Sequence, residues 1–360
     1  MPVTLETTAS RSSAGRSRFR WISALLLPLC VLALAEAGAR GWSAREKRWY
    51  DRAAVQLSRG PVGALFIGSS RVAAAIDENA WNAAASETAI NLGQGFSTYQ
   101  EHYFGLRDLI AQYPERFRGA AIFIEAPRGM PDPSTWQDPW VHPESPRMLV
   151  PVLRVGDLPG VWSAPLTFET KSRITFGFVL RPSALFTQKD RLGSGFLLLG
   201  EDFFARKLAG VKPAPGNGDL TGAGGIRTDP ESVKRARITA VRMANEDIQS
   251  QRPVAAWDRT VMHDIVRLAQ QAGARPIFFE MPVCSVQSSV FDTAIRRRDR
   301  QTFFESAKRW GTPIVRTTIV LTDEDFPDLW HLRKSRAAAF TQALAEAARN
   351  RRPASSYHVL

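Results

Sequence analysis

Residues 64–77 read ALFIGSSRVAAAID, a short apolar run followed by a glycine, two serines, an arginine and a string of small residues. A run that is apolar at every position suits a strand covered by helices on both faces, as in a parallel sheet, because a half-exposed strand would alternate. A small-residue turn directly after such a strand lies at the carboxyl edge of the sheet, where open α/β folds bind ligands. The turn exposes hydroxyls and leaves backbone N–H groups to face an oxyanion. Ser69 and Ser70 are both candidate nucleophiles, and either needs a base within hydrogen-bond reach.

The same pattern recurs along the chain. GALFIG (63–68), TAINLG (88–93), AAIFIEA (120–126), RPIFFEM (275–281) and PIVRT (313–317) read as strands, with amphipathic helices between them. One helix is TYQEHYFGLRDLIAQY, where Thr98 and Glu101 make a capping box. A second is WDRTVMHDIVRLAQQAG, stopped by Gly273, and a third is SRAAAFTQALAEAARN near the C-terminus. This alternation predicts an α/β fold with a parallel sheet sandwiched by helices. Residues 127–250 break the rhythm with Pro- and Trp-rich loops and read as an insertion or lid subdomain.

Five histidines are available as the base. His102 and His263 fall inside expected helices and read as helix-face residues, while His142 and His358 sit in a loop and a tail. His331 follows the last expected strand and precedes the last helix, again at an edge where loops converge. Asp328 stands three residues before it. In one tight loop a carboxylate at that spacing reaches the imidazole Nδ1–H and turns Nε2 toward a serine. A serine turn after the first strand and an Asp-x-x-His after the last form a joint pattern that neither piece makes alone.

The N-terminus carries Arg11, Arg16, Arg18 and Arg20 before an apolar stretch from Trp21 to Ala35. Extended through EAGARGW, it reaches the length of a span, with Trp21 and Trp42 as interfacial anchors. The alternative is a signal peptide cleaved before Glu36, for which Ala33 and Ala35 suit the cleavage site. The uncleaved signal anchor is favoured. Residues 1–20 are then a cytoplasmic basic tail, 21–40 a transmembrane helix and 41–360 an exported domain. The net charge of +12 would suit nucleic acid in a cytosolic protein, but export argues against that partner. Two cysteines, Cys30 and Cys284, make no disulfide framework and no metal site, and no cofactor motif is present.

FIGSS, NLGQG and DLWH resemble blocks one, two and five of the SGNH/GDSL hydrolase superfamily, including its membrane-anchored branch involved in cell-envelope O-acylation. The resemblance spans residues 60–126 and 257–350. It implies a flavodoxin-like sheet, Ser70 as nucleophile (Gly68-Ser69-Ser70 aligning with Gly-Asp-Ser), His331 as base and Asp328 as its orienter. It also implies an oxyanion hole using Gly95 or Gly93. Two departures stand out. Ser69 replaces the usual aspartate, and the third block, usually Gly-x-Asn-Asp, reads EAPRG, so Arg128 or the Ser70 and glycine-loop amides must serve where an asparagine would.

The expected activity is that of a serine esterase or O-acyltransferase without a cofactor, acting on acyl esters of envelope glycans or glycolipids. It would work from the inner membrane, on the periplasmic side, with a membrane-bound acyltransferase as a possible partner. Two other readings are a membrane-tethered scaffold without turnover and a phosphate-binding enzyme using GSSR and Arg71. The latter has neither a Walker lysine nor a metal-carboxylate cluster.

Overall fold

A computed structural model of the chain describes residues 30, 32–38, 50–94, 99–127, 153–163, 168–180, 231, 234, 237–238, 241–242 and 257–350. All five expected strands form: β1 (Ala64–Ile67), β2 (Ala89–Asn91), β3 (Ala121–Glu125), β4 (Arg275–Phe279) and β5 (Ile314–Val315). They make one parallel sheet in the order β2-β1-β3-β4-β5. β1 is an interior strand, with Ala64 paired to Ala89 on one side and to Ala121 on the other.

Successive residues of a strand face opposite sides, and each side has its own apolar core. Leu65, Ile67, Ile122, Ile124 and Phe278 belong to one core. It is closed by α1 (Asp51–Arg59), α4 (Tyr99–Gln112), α8 (Val261–Gln271) and α10 (Ala294–Arg309) through Leu57, Leu106, Ile265 and Phe303. Ala64, Phe66, Phe123 and Phe279 belong to the other. It is closed by α2 (Ser70–Ala75), α3 (Glu78–Ala85) and α11 (Lys334–Asn350) through Val72, Trp81, Phe340 and Leu344. At its centre Phe66 stacks on Phe123 with centroids 4.7 Å apart, and Trp81 meets both rings edge-on at 4.9 Å. Such aromatic geometry adds about 1 kcal/mol per pair to the burial itself.

The helix placement follows from crossover handedness. The connection from β1 to β2 runs through α2 and α3 on one face, and the later connections through α4, α8 and α10 run on the other. Right-handed crossovers require that change of face where the strand order reverses direction. The reversal lies between β1 and β3, the position at whose carboxyl edge open α/β sheets bind ligands.

Local chemistry agrees with the elements. Asp77 caps α3 by accepting from Asn79 N–H at 2.9 Å and Ala80 N–H at 3.1 Å, as an N-cap aspartate should. Asn91, at the end of edge strand β2, donates through Nδ2 to the carbonyls of Val72 (3.2 Å) and Ile76 (3.0 Å) at the C-terminal end of α2. Gly273 ends α8 in the left-handed region, φ 72°, as the sequence predicts. Two further short helices are α5 (Pro114–Phe117) and α9 (Ser285–Phe291).

The chain divides into two compact units, residues 1–47 with 179–211 and residues 48–178 with 212–360. In the first, residues 30 and 32–38 include a short helix whose Leu32 and Leu34 are exposed. No helix among the described residues is long and apolar enough to cross a membrane; most of the expected anchor, 21–40, and all of the basic tail, 1–20, lie outside them. Of the expected insertion, 127–250, the described parts of the second unit include α6 (Leu158–Ser163) and most of α7 (Phe168–Leu180). Leu153, Val161 and Ile174 from this stretch are buried in the α4-side core. Arg107 of α4 holds Asp157 through two bonds of 2.6 and 2.8 Å. Residues 153–163 and 168–178 of the stretch therefore include packed parts of the domain.

The central aromatic cluster should dominate stability. Phe123→Ala is expected to lower the unfolding free energy by about 3 to 5 kcal/mol in urea titrations, with the transition still cooperative. Val320→Ala, at a side chain 82% exposed, should change it by less than about 0.5 kcal/mol.

Candidate active site

β1 ends at Ile67, Gly68 follows, and Ser69 caps α2 with its hydroxyl accepting from Arg71 N–H at 3.2 Å. Ser70 is the first residue of that helix. At the other end of the chain, β5 leads into residues 316–333 and then α11. Asp328 organises the last part of that loop. Its Oδ1 accepts from the N–H groups of Trp330 (2.9 Å) and His331 (2.8 Å), and its Oδ2 accepts from His331 Nδ1–H at 2.6 Å. His331 Nε2 lies 2.8 Å from Ser70 Oγ.

The result is a continuous Ser70–His331–Asp328 chain of hydrogen bonds. Because Asp328 accepts from Nδ1, the neutral imidazole carries its proton there and its Nε2 is left as acceptor for the Ser70 hydroxyl. Burial pushes the Asp328 carboxyl upward, but the bonds from the His331 ring and from the His331 and Trp330 amides outweigh it and hold the group below its ordinary value. Asp328 thus remains an anion at neutral pH, placed to stabilise an imidazolium when His331 takes a proton.

The histidine loop is held by apolar anchors and backbone bonds. Phe326, Leu329 and Leu332 are buried in the α11-side core. Leu329 sits at φ 67°, a left-handed conformation that leucine adopts only under constraint. Its carbonyl accepts from the Cys284 thiol at 3.4 Å. Arg333 N–H donates to Asp325 O at 2.7 Å, and Arg336 pairs with Asp325 at 3.0 Å. Cys284 is buried, and that burial raises its thiol pKa, so it supports the loop as an inert thiol.

Beneath the serine turn lies a polar layer that the sequence reading did not identify. Glu125, the last residue of β3 and only 5% exposed, accepts from Ser69 N–H through Oε2 at 2.7 Å. Arg71 is buried as well; it donates to Pro282 O at 2.8 Å and approaches Glu125 Oε1 at 3.8 Å. A Cβ at Gly68 would come within 2.4 Å of Val72 Cγ2 and 2.6 Å of Glu125 Oε2, so only glycine allows this approach. A glutamate ending an otherwise apolar strand, IFIEA, was the available signal.

His102, expected as a helix-face residue, is 1% exposed, and its Nε2–H donates to Gly68 O at 2.9 Å. The first turn of α4 lies under the carboxyl edge of the sheet, so that helix face is enclosed. Burial lowers the His102 pKa to about 4, against a smaller opposite effect of the bond to Gly68. His263, by contrast, stacks on Trp310 at 4.8 Å.

Several amides near Ser70 are committed. Ser69 N–H goes to Glu125, Arg71 N–H to Ser69 Oγ, Gly93 N–H to Asn91 Oδ1 (2.8 Å) and Gln94 N–H to Gly68 O (3.0 Å). Gly93 therefore contributes close packing, its Cα lying where a Cβ would strike Ala73 N at 2.3 Å, and its amide is not left for an oxyanion. Ser70 N–H has no acceptor among the described residues. Gly95 and Arg128 lie outside the described residues. No group of three His, Cys, Asp or Glu side chains able to hold a metal occurs among the described residues.

His102 imposes a pH signature. The unfolded chain protonates it near pH 6.5, and the folded chain keeps it neutral down to about pH 4. Between these values the unfolded state binds more protons, so stability falls as pH falls, approaching about 1.4 kcal/mol per pH unit. Urea titrations from pH 7 to 4 should show this slope in the wild type, and His102→Phe should flatten it; equal slopes would contradict a neutral buried His102.

No family model matches the chain, and neither the curated proteins nor the solved structures include a significant match to it.

Proposed function

We propose that the protein is a serine esterase or O-acyltransferase of the SGNH/GDSL type that acts on acyl esters of cell-envelope glycans or glycolipids. The observation that carries this reading is the hydrogen-bonded chain from Ser70 Oγ through His331 to Asp328 at the carboxyl edge of a parallel sheet ordered 2-1-3-4-5. Triads are recognised by geometry and role, and the geometry of this hydrogen-bonded chain supports the reading. The envelope setting rests on the basic N-terminus followed by an apolar stretch, read as a signal anchor in the inner membrane with the domain on its periplasmic side. A membrane-bound acyltransferase is a fitting donor partner.

In the proposed reaction His331 Nε2 takes the Ser70 proton as Oγ bonds to the ester carbonyl carbon. The tetrahedral oxyanion faces Ser70 N–H. Collapse breaks the carbon–oxygen bond to the leaving alcohol, which receives the proton from His331, and an acyl-serine remains. His331 then deprotonates the acceptor hydroxyl, whose oxygen bonds to the acyl carbon; the bond from that carbon to Ser70 Oγ breaks, and Oγ takes the proton back from His331. Water as acceptor completes hydrolysis, and a sugar hydroxyl completes transfer.

One observation favours a second reading, a membrane-tethered scaffold without turnover. The third block holds no asparagine donor, and Glu125, which ends β3, accepts a hydrogen bond from Ser69 N–H and cannot stabilise an oxyanion.

The deciding experiment is fluorophosphonate labelling and acetyl-ester hydrolysis by the full-length protein in detergent. Ser70→Ala should abolish both. His331→Ala and Asp328→Asn should lower turnover by about 10³-fold or more, since each removes the base or its correct tautomer. Ser69→Ala should retain labelling. A folded wild type that neither labels nor turns over would favour the scaffold.

A further inference from the structure

We propose that His102 and Glu125 are positioning residues for the nucleophile, clamping the Gly68–Ser69 peptide from both ends so that Ser70 Oγ and Ser70 N–H keep a fixed aim. This inference rests on the reading of Ser70 as the nucleophile.

The Gly68 carbonyl accepts from His102 Nε2–H at 2.9 Å and from Gln94 N–H at 3.0 Å. The N–H of the same peptide, that of Ser69, donates to Glu125 Oε2 at 2.7 Å. The holding groups come from α4, from the segment after β2 and from β3, so the peptide plane is pinned by three separate parts of the fold. Rotation of that plane would swing Ser70 relative to His331, 261 residues away in sequence.

The clamp is itself braced. Tyr99 O–H donates to Glu125 O at 2.8 Å, and Ala126 N–H donates to Phe279 O at 2.8 Å, fixing the end of β3 on both sides of the carboxylate. Arg71 supplies the opposite charge at 3.8 Å and is anchored on Pro282 O. Placing an imidazole and a carboxylate in the interior is costly unless each is hydrogen-bonded, and both are bonded to the Gly68–Ser69 peptide, one residue before Ser70. A second consequence concerns selectivity among amides. With Ser69 N–H taken by Glu125, the Ser70 amide is the one this turn has left to offer an oxyanion.

The test compares, in the full-length protein, variants that remove a clamp bond with variants that keep it. His102→Leu removes the donor and His102→Gln keeps one; Glu125→Leu removes the acceptor and Glu125→Gln keeps one. The readouts are the fluorophosphonate labelling rate and the kcat and KM for acetyl-ester hydrolysis, on variants that melt cooperatively. Both leucine variants are expected to lose about 100-fold in labelling rate and kcat with KM changed less than about 3-fold, since small displacements of a nucleophile cost that much. Both glutamine variants should stay within about 5-fold of wild type. Should a leucine variant fail to fold, its glutamine partner decides, a folded variant slowed 100-fold despite the retained bond overturning the clamp. Folded leucine variants that label at the wild-type rate also overturn it. A wild type that does not label, or a Ser70→Ala that labels normally, overturns the serine reading and the clamp together.

Discussion

The close approach of β1 to β3 at Gly68 is the constraint on which the site depends. The two strands pair in register from Ala64 with Ala121 to Ile67 with Ile124. One residue further, Gly68 stands beside Glu125 with no side chain between them. The carboxylate reaches the Ser69 amide only because position 68 has no Cβ. The serine turn is therefore aligned by the packing of the central strands, and it inherits their rigidity.

That alignment would be idle without the second half of the site. His331 and Asp328 arrive on a loop whose fixed points are apolar: Phe326, Leu329 and Leu332 sit in the same core as Phe66 and Phe123. The two halves of the triad are thus referenced to one cluster of buried side chains. Burial supplies position and hydrogen bonds supply orientation; Asp328 spends both oxygens on the loop's own N–H groups and on the imidazole. Charged groups near Ser70 follow the same logic. Glu125 and Arg71 are buried together and each is bonded to backbone, the arrangement that makes buried charge tolerable.

The first unit and much of 127–250 stand apart from this account, but 153–178 does contribute. Leu153, Val161 and Ile174 complete the core over α4, the helix that carries His102 and Tyr99 to the underside of the site. A segment that breaks the α/β rhythm in the sequence thereby helps to support the helix behind Ser70.

Much of the fold was legible in the chain. Five short apolar runs, each apolar on both strand faces, specify five covered strands, and the helices between them show their apolar stripes at helical spacing. The joint pattern of Gly-Ser-Ser after the first strand and Asp-x-x-His after the last pointed to the residues that meet, and within one loop the Asp328–His331 contact follows from spacing alone. What the sequence by itself determined, then, was what depends on local periodicity, turn chemistry and short separation. Tertiary structure alone decided which serine faces His331, the enclosure of His102, the partnership of Glu125 with the Ser69 amide, and the commitment of the Gly93 amide to Asn91. The physical reason is that all but the last of these are contacts between elements far apart in the chain, set by strand register and helix placement, while the last depends on the rotamer Asn91 takes as its Nδ2 bonds to α2, and no periodicity in a single segment records either.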